Sequence, residues 1–274
     1  MIVPTSKRRK WLWLLAPLLL LGLLLSLSDV LYQRAVAQAS AFPFSACNKV
    51  WGHRGHAAIG AENSLQSVQD AFGRGAAGVE IDILFDGELG DFVVSHNRPY
   101  TLFDGKPLLL ETVLSHSTRT GHFWLDAKDL SKLSPLTAYK ATQRLATLIQ
   151  RYQLAERAFV ESSHALYLSW LADQGIYTSY AVSPNDKKYS APVYKLNAAL
   201  MKLGYTFARA GAISMNASRY TPVTATTFGE VAVLLSTVND TRALQLLSAI
   251  PEVKVILSDD DHFATTACGS RAGQ

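Results

Sequence analysis

An α/β fold, a single (β/α)8 barrel domain following one N-terminal apolar segment, is what the sequence predicts, and three observations predict it. Short apolar runs rich in β-branched and aromatic residues alternate with helix-like segments along the chain, the pattern of a mainly parallel sheet with helical crossovers. About eight such units in roughly 250 residues is the size of a closed barrel. Charged residues recur at the ends of the strand candidates, where barrels of this kind place their chemistry. A doubly wound open sheet is the alternative, but Gly52-His53-Arg54-Gly55-His56 after the first strand is not the Gly-rich turn such a fold uses.

Residues 1–39 form the leader. Lys7-Arg8-Arg9-Lys10 runs into Trp11–Leu27, seventeen uncharged residues with eleven leucines. That length matches the apolar stretch needed to cross a bilayer and exceeds the core of most cleavable signals. Ala35-Val36-Ala37 and Ala37-Gln38-Ala39 nevertheless fit a small-x-small cleavage pattern. The expectation is a membrane anchor with residues 40–274 on the exported, periplasmic or extracytoplasmic side, or a secreted body if the leader is removed.

Within 40–274 the strand candidates are Val50–His53, Gly78–Phe85, Asp91–His96, His122–Lys128, Ala158–Ser162, Ile176–Val182, Ala212–Met215, Val231–Val238 and Val253–Ser258. Nine exceed eight. Asp86-Gly87 is a turn signal, so Asp91–His96 is assigned to a hairpin that continues Gly78–Phe85. Helices are expected over Ser64–Arg74, Leu108–Ser115, Pro135–Tyr152, Ala165–Gln174, Tyr194–Leu203 and Thr241–Ile250.

The formal net charge of +4 belongs to the leader, because the rest of the chain carries 21 Lys+Arg against 21 Asp+Glu. A neutral body leaves no electrostatic footprint for nucleic acid. The two cysteines, Cys47 and Cys268, have no metal or redox spacing, and their pairing stays open, as does the oligomeric state. No GxSxG elbow or Walker loop occurs, which argues against a serine hydrolase or a P-loop NTPase.

Burying a charge is costly unless it is paired or binds a metal. In Gly78-Val79-Glu80-Ile81-Asp82-Ile83 two carboxylates sit at i and i+2, on one face and about 6.6 Å apart along the strand. They would repel unless a hard divalent cation joined them, Mg²⁺ or Ca²⁺ rather than zinc. Asp126 and Lys128 repeat the i, i+2 geometry in Phe123–Lys128, either as a third ligand beside a phosphate-binding cation or as a plain ion pair. His53 after the first strand and His96 after the third form a candidate acid–base pair, and Arg54 offers a planar fork for phosphate. Of the weaker polar residues, Asn63 or Ser64 reads as a helix cap, Glu161 as a spare ligand, Asn239 is undecided, and Asp259-Asp260-Asp261-His262 reads as a solvated loop or cap. His56, His116, His122 and His164 read as surface or structural.

Taken in order, these residues resemble the glycerophosphodiester phosphodiesterases, within the phospholipase C-like phosphodiesterase barrels. His53-Arg54-Gly55 is similar to the opening HRG of that family, Glu62-Asn63-Ser64 to its ENS element, Gly78–Asp82 to its G-x-E-x-D strand, His96 to its second histidine, and Asp126-Ala127-Lys128 to its E-x-K strand. The likeness is sharp over roughly residues 50–130; later, Thr237-Val238-Asn239 and Ser258-Asp259 match more faintly. It implies a (β/α)8 barrel with one divalent cation, Mg²⁺ or Ca²⁺, held by Glu80, Asp82 and Asp126. It further implies His53 and His96 as base and acid, and Arg54, Lys128 and Glu62 about the substrate. The implied reaction hydrolyses a small-molecule or lipid-derived phosphodiester to an alcohol and glycerol phosphate.

Four departures separate this chain from the pattern. Asp126 stands in place of the usual Glu, as in sphingomyelinase D-type phospholipases; Asn97 rather than Asp follows His96; the His96–Leu108 connection is short; and Ser236 replaces a tryptophan. Two other readings follow, a phospholipase D-type activity on intact lipid and a catalytically inactive barrel serving as a binding module.

Overall fold

In the computed structural model, residues 7–44, 48–56, 61–117 and 121–263 are described. The order is α1 (Lys7–Gln38), β1 (Val50–Gly52), α2 (Leu65–Gly73), β2 (Gly78–Asp86), β3 (Asp91–Val94), β4 (Leu102–Phe103), β5 (Lys106–Pro107), α3 (Leu110–His116), β6 (His122–Ala127) and α4 (Pro135–Arg151). There follow β7 (Ala158–Ser162), α5 (Ala165–Ala172), β8 (Thr178–Ala181), α6 (Ala191–Ala208), β9 (Ala212–Asn216), α7 (Pro222–Phe228), β10 (Ala232–Ser236), α8 (Thr241–Ser248) and β11 (Val253–Ser258). Cys47 and Cys268 lie outside the described residues.

Eight parallel strands pair in the order β1-β2-β6-β7-β8-β9-β10-β11, and β11 pairs back to β1 with Gly52 opposite Ser258, so the sheet closes. The hairpin assignment holds: β3 runs antiparallel on the far end of β2, Ile83 opposite Val94. Two features escape the sequence reading. Helix α7 contains three threonines, whose β-branching weakens helix propensity, yet Pro222 at its first turn, the Thr221 side chain accepting from Thr224 N, and Gly229 at φ +65° define its two ends. In the connection before Leu108, Asp104 and Gly105 both adopt positive φ, which closes β4 and β5 into a two-residue hairpin.

Period-2 alternation divides the buried residues between two layers. Val79, Ile81, Ile83, Leu125, Val160, Ile213 and Leu235 face the helices. Trp51, Trp124, Phe159, Leu234 and Leu257 fill the barrel, with Phe42 and Phe44 packed against their lower side. Gly78 makes room for this interior, since a Cβ there would lie 2.4 Å from the Trp51 ring. Above the apolar plug the same inward series turns polar, and that change of character positions the site.

Helix α1 joins the barrel through its second half. Tyr32 is fully buried, donates its hydroxyl to Phe228 O at 2.8 Å, and meets the Tyr205 ring edge-on at 5.2 Å, while Asp29 pairs with Lys202 at 2.7 Å. The packed body therefore begins on the leader side of residue 40. Most of Trp11–Leu27 falls where side chains lie outside the described residues, and among the described residues no helix is long and apolar enough to cross a membrane.

Candidate active site

The mouth is built where inward-facing series reach the carboxyl ends of their strands. Trp51 leads to His53, Glu80 to Asp82, Trp124 to Asp126 and Lys128, Phe159 to Glu161, and Leu257 to Asp259. Glu80, Asp82 and Asp126 each bring a carboxylate oxygen within 4.8 Å of the others. The i, i+2 pair thus does converge, and β6 beside β2, with Asp82 opposite Asp126, supplies the third acid.

The turn after β1 is held in strained conformations by several contacts at once. Arg54 has φ +53° and Asn63 φ +56°. Arg54 N donates to Glu80 Oε2 at 2.9 Å, and Arg54 O accepts from Asn63 N and Ser67 Oγ, both at 3.0 Å. Gly55 is required next: its φ is +80°, and a Cβ would come within 2.4 Å of Ser67 Oγ. Ser64 caps α2 as expected, in a reciprocal capping box with Ser67. Asn63 does something else. Its amide donates to Asp82 Oδ2 at 2.8 Å and its carbonyl accepts from Asp82 N at 2.9 Å, so it fixes a candidate metal ligand.

The two expected phosphate-binding cations point into this acidic floor. Arg54 reaches Glu62 at 2.7 Å and Asp82 at 3.2 Å. Lys128 lies 3.0 Å from Asp82 Oδ1 and also pairs with Asp126, so the ion pair expected of this strand is present and sits within the acidic cluster. Burial, then Asp82 and Asp126, push the Glu80 carboxyl well above the usual range. Burial also raises Asp126 against the pull of Lys128. Burial acts the same way on Asp82, but Lys128, Asn63 and Arg54 outweigh it and hold this group low. Glu161, whose Oε2 is buried, is pushed up to about 8 by burial and then by its neighbour Asp126.

His53 shows what sequence reasoning missed. Its Nδ1 is 2.7 Å from Asp259 Oδ1, and its Nε2 is turned to the acids, 4.0 Å from Glu80 Oε2. Asp259 is held in turn by Asn239, whose amide donates to Oδ2 at 2.8 Å and whose carbonyl accepts from Asp259 N at 2.9 Å. The solvated-loop reading of Asp259 is corrected accordingly: barrel closure sets Asp259 beside His53, with His53 N bonded to Ser258 O at 2.9 Å. His96 follows Ser95, whose N donates to Asp82 O at 3.1 Å. Glu62, further out, contacts the site through Arg54. His56 is structural, buried and 2.5 Å from Asp70, and His122 stacks on Trp51.

The closed barrel shares its fold with solved glycerophosphodiester phosphodiesterases. An Oleispira antarctica phosphodiesterase, solved in complex with the product sn-glycerol-3-phosphate, is 16% identical, with 79% of this chain and 95% of that one covered at a TM-score of 0.61. Glycerophosphodiester phosphodiesterases from Thermotoga maritima (18% identical, 78% and 95% covered, TM-score 0.59) and Parabacteroides distasonis (18%, 78% and 93%, 0.57) share the fold as well. No family model and no curated protein matches the sequence.

Proposed function

We propose that this chain is a metal-dependent phosphodiesterase that cleaves glycerophosphodiesters to an alcohol and glycerol phosphate, or the head groups of lysophospholipids to an alcohol and an acylglycerol phosphate. The observation that carries the reading is the convergence of Glu80, Asp82 and Asp126 within 4.8 Å, beside a histidine whose Nδ1 is tied back by a carboxylate. Three hard oxygen donors suit Mg²⁺ or Ca²⁺. The electrostatics fit too: the neighbouring acids help to raise the Glu80 carboxyl, a repulsion that a divalent cation among the three would relieve. A divalent cation bound there would withdraw charge from the phosphoryl oxygens.

The protein's own groups supply the rest. Asp259 accepts from Nδ1–H, which leaves Nε2 of His53 free to take or give a proton, and His96 is the partner across the scissile bond. One imidazole takes the proton of the attacking water or substrate hydroxyl as its oxygen bonds to phosphorus. The other gives a proton to the departing alkoxide. Arg54 and Lys128 bind the non-bridging oxygens whose charge grows in the transition state. The basic and apolar leader sequence supports an exported, membrane-tethered enzyme, a setting suited to lipid-derived diesters.

The test is hydrolysis of a head-group panel of glycerophosphodiesters and lysophospholipids by the full chain with Mg²⁺ or Ca²⁺, alongside EDTA and His53→Ala controls. Activity abolished by both controls is the expected result. Turnover that survives EDTA and His53→Ala, or a folded protein silent across the panel, overturns the reading.

A further inference from the structure

Helix α1 runs in the same direction as α6: Asp29 lies against Lys202, Tyr32 against Tyr205, and Ala39 near Gly211. Helices that follow barrel strands start at the catalytic end, so α6 begins there and ends at the opposite face. Traced back from Gln38, α1 therefore climbs toward the catalytic mouth. Asp29 is level with Lys202, eleven residues into α6, and the eleven residues Lys7–Pro17 continue past the start of α6 by about 16 Å at helical rise. The apolar and basic part of the leader thus leaves the barrel on the side of the candidate site.

A second, independent observation concerns the rim. Six exposed large apolar side chains lie at this end, Leu136, Leu166, Val193 and Val223 in the first turns of α4, α5, α6 and α7, Leu89 in the β2–β3 turn, and Leu102 in β4, while others run down the flank as Leu196, Leu200 and Leu203 of α6 and Leu23, Leu27 and Val30 of α1. Each is between 37% and 69% exposed. At the opposite end the comparable residues are Phe207 and Leu246, near the ends of α6 and α8. First-turn positions of four successive helices lie along one arc, so these residues follow one side of the mouth. Exposed apolar groups on such a scale mark a contact surface.

We propose that this rim contacts lipid: the barrel sits with its mouth toward the bilayer, α1 acting as a docked strut that is retained with the body and fixes that orientation. The occupant is a phospholipid surface because the first part of the chain's own apolar run, Trp11–Pro17, and its Lys7–Lys10 cluster, which suits anionic head groups, lie on the same side. The inference rests on the catalytic reading of the mouth and sharpens it, for a mouth facing lipid meets lysophospholipid or lipid-derived diester where it arises.

The experiment uses the full chain with a genetically encoded fluorescent amino acid at Leu102, Leu136 or Glu156, reconstituted in phosphatidylcholine/phosphatidylglycerol vesicles with brominated phosphatidylcholine as quencher. Glu156 marks the opposite end, before β7. Probes at 102 and 136 are expected to be quenched severalfold more than the probe at 156. Equal quenching or the reverse order overturns the proposal, as does shielding of the rim without lipid that grows with protein concentration, which would mean that a second copy covers it. Hydrolysis of soluble glycerophosphocholine by the same samples separates the two failures: turnover with dry rim probes sinks only the orientation, and quenched rim probes without turnover of any diester sink only the catalytic reading.

Discussion

Replacing Asp259 by asparagine exchanges one oxygen for an NH2 group and leaves the shape of the side chain intact. The hydrogen-bond chain makes the consequence calculable. Asn239 Oδ1 is committed to Asp259 N at 2.9 Å and Ser258 Oγ at 3.2 Å, so its NH2 must donate to residue 259 at the Oδ2 position. In Asp259→Asn that position has to be the carbonyl oxygen, which turns the new NH2 toward His53 Nδ1. Nδ1 then becomes an acceptor, the proton moves to Nε2, and the nitrogen facing the acidic floor can no longer act as a base. The opposite amide orientation sets two NH2 groups against each other and loses the bond to Asn239. Loss of acid–base function at one histidine predicts a fall in kcat of about 10²–10⁴-fold. Because the Asp259 side chain is 39% exposed, the stability cost is about 1 kcal/mol or less. Steady-state hydrolysis of glycerophosphocholine, read with thermal unfolding of the same sample, is the assay. A kcat within twofold of the parent, with an unchanged melting curve, would refute the assignment of Asp259 as the positioning residue for His53.

Three further outcomes are expected. Tyr32→Ala should cost about 3–5 kcal/mol through its cavity and an unpaired Phe228 carbonyl, lowering Tm by roughly 10 °C, with Tyr32→Phe much milder; calorimetry of the full chain checks this, and an unchanged Tm would mean that α1 does not hold the barrel. Gly55→Ala meets both the positive φ and Ser67, so it should cost about 2 kcal/mol or more and lower hydrolysis by displacing Arg54, seen by denaturant melts and kinetics together. Glu161 has its carboxyl raised from the usual 4.5 to about 8, so between those values the folded chain holds a proton that the unfolded chain releases, and stability falls as pH rises through this window. With EDTA present, Glu161→Gln should therefore raise Tm at pH 8–9 relative to the parent and change it little near pH 5; a loss at high pH would contradict the buried-acid reading.

Much of the fold and site was legible because two periodicities are written into the chain. Alternation marks Glu80 and Asp82 as sharing a face, and apolar runs between helix-like segments mark the eight barrel strands. Helix α7 was hidden because Thr224, Thr226 and Thr227 look like strand or loop, and only the capping by Thr221 and Pro222 favours the helix. Asp259 was hidden for a different reason. Within Asp259-Asp260-Asp261-His262 it looks like any solvated acid, and what gives it a role is its neighbour across the closure. The signal was available all the same: a closed barrel must set its last strand beside its first, so the residue after β11 and the residue after β1 become adjacent, and those are Asp259 and His53. Asn63 carried no such signal, since its bonds to Asp82 depend on a left-handed turn that the sequence does not announce.

Strand register also bears on where this chain departs from the resembling family. A shorter side chain at position 126 withdraws a carboxylate by one methylene, yet the strand register sets Asp126 directly opposite Asp82, and Lys128 two residues on draws both acids toward one point. The ligand distance is thus set by β2 against β6 and by a shared cation, not by the reach of one side chain. The short connection after His96 acts differently: it folds back as the β4–β5 hairpin, against the start of α2, and leaves Leu102 exposed. On the proposed function, chemistry and substrate access would be carried by separate parts of the chain. Substitutions in the hairpin should alter KM for lipid-derived diesters while leaving kcat for glycerophosphocholine in place, and a Leu102→Ser variant that lowers kcat for the soluble diester would break that separation.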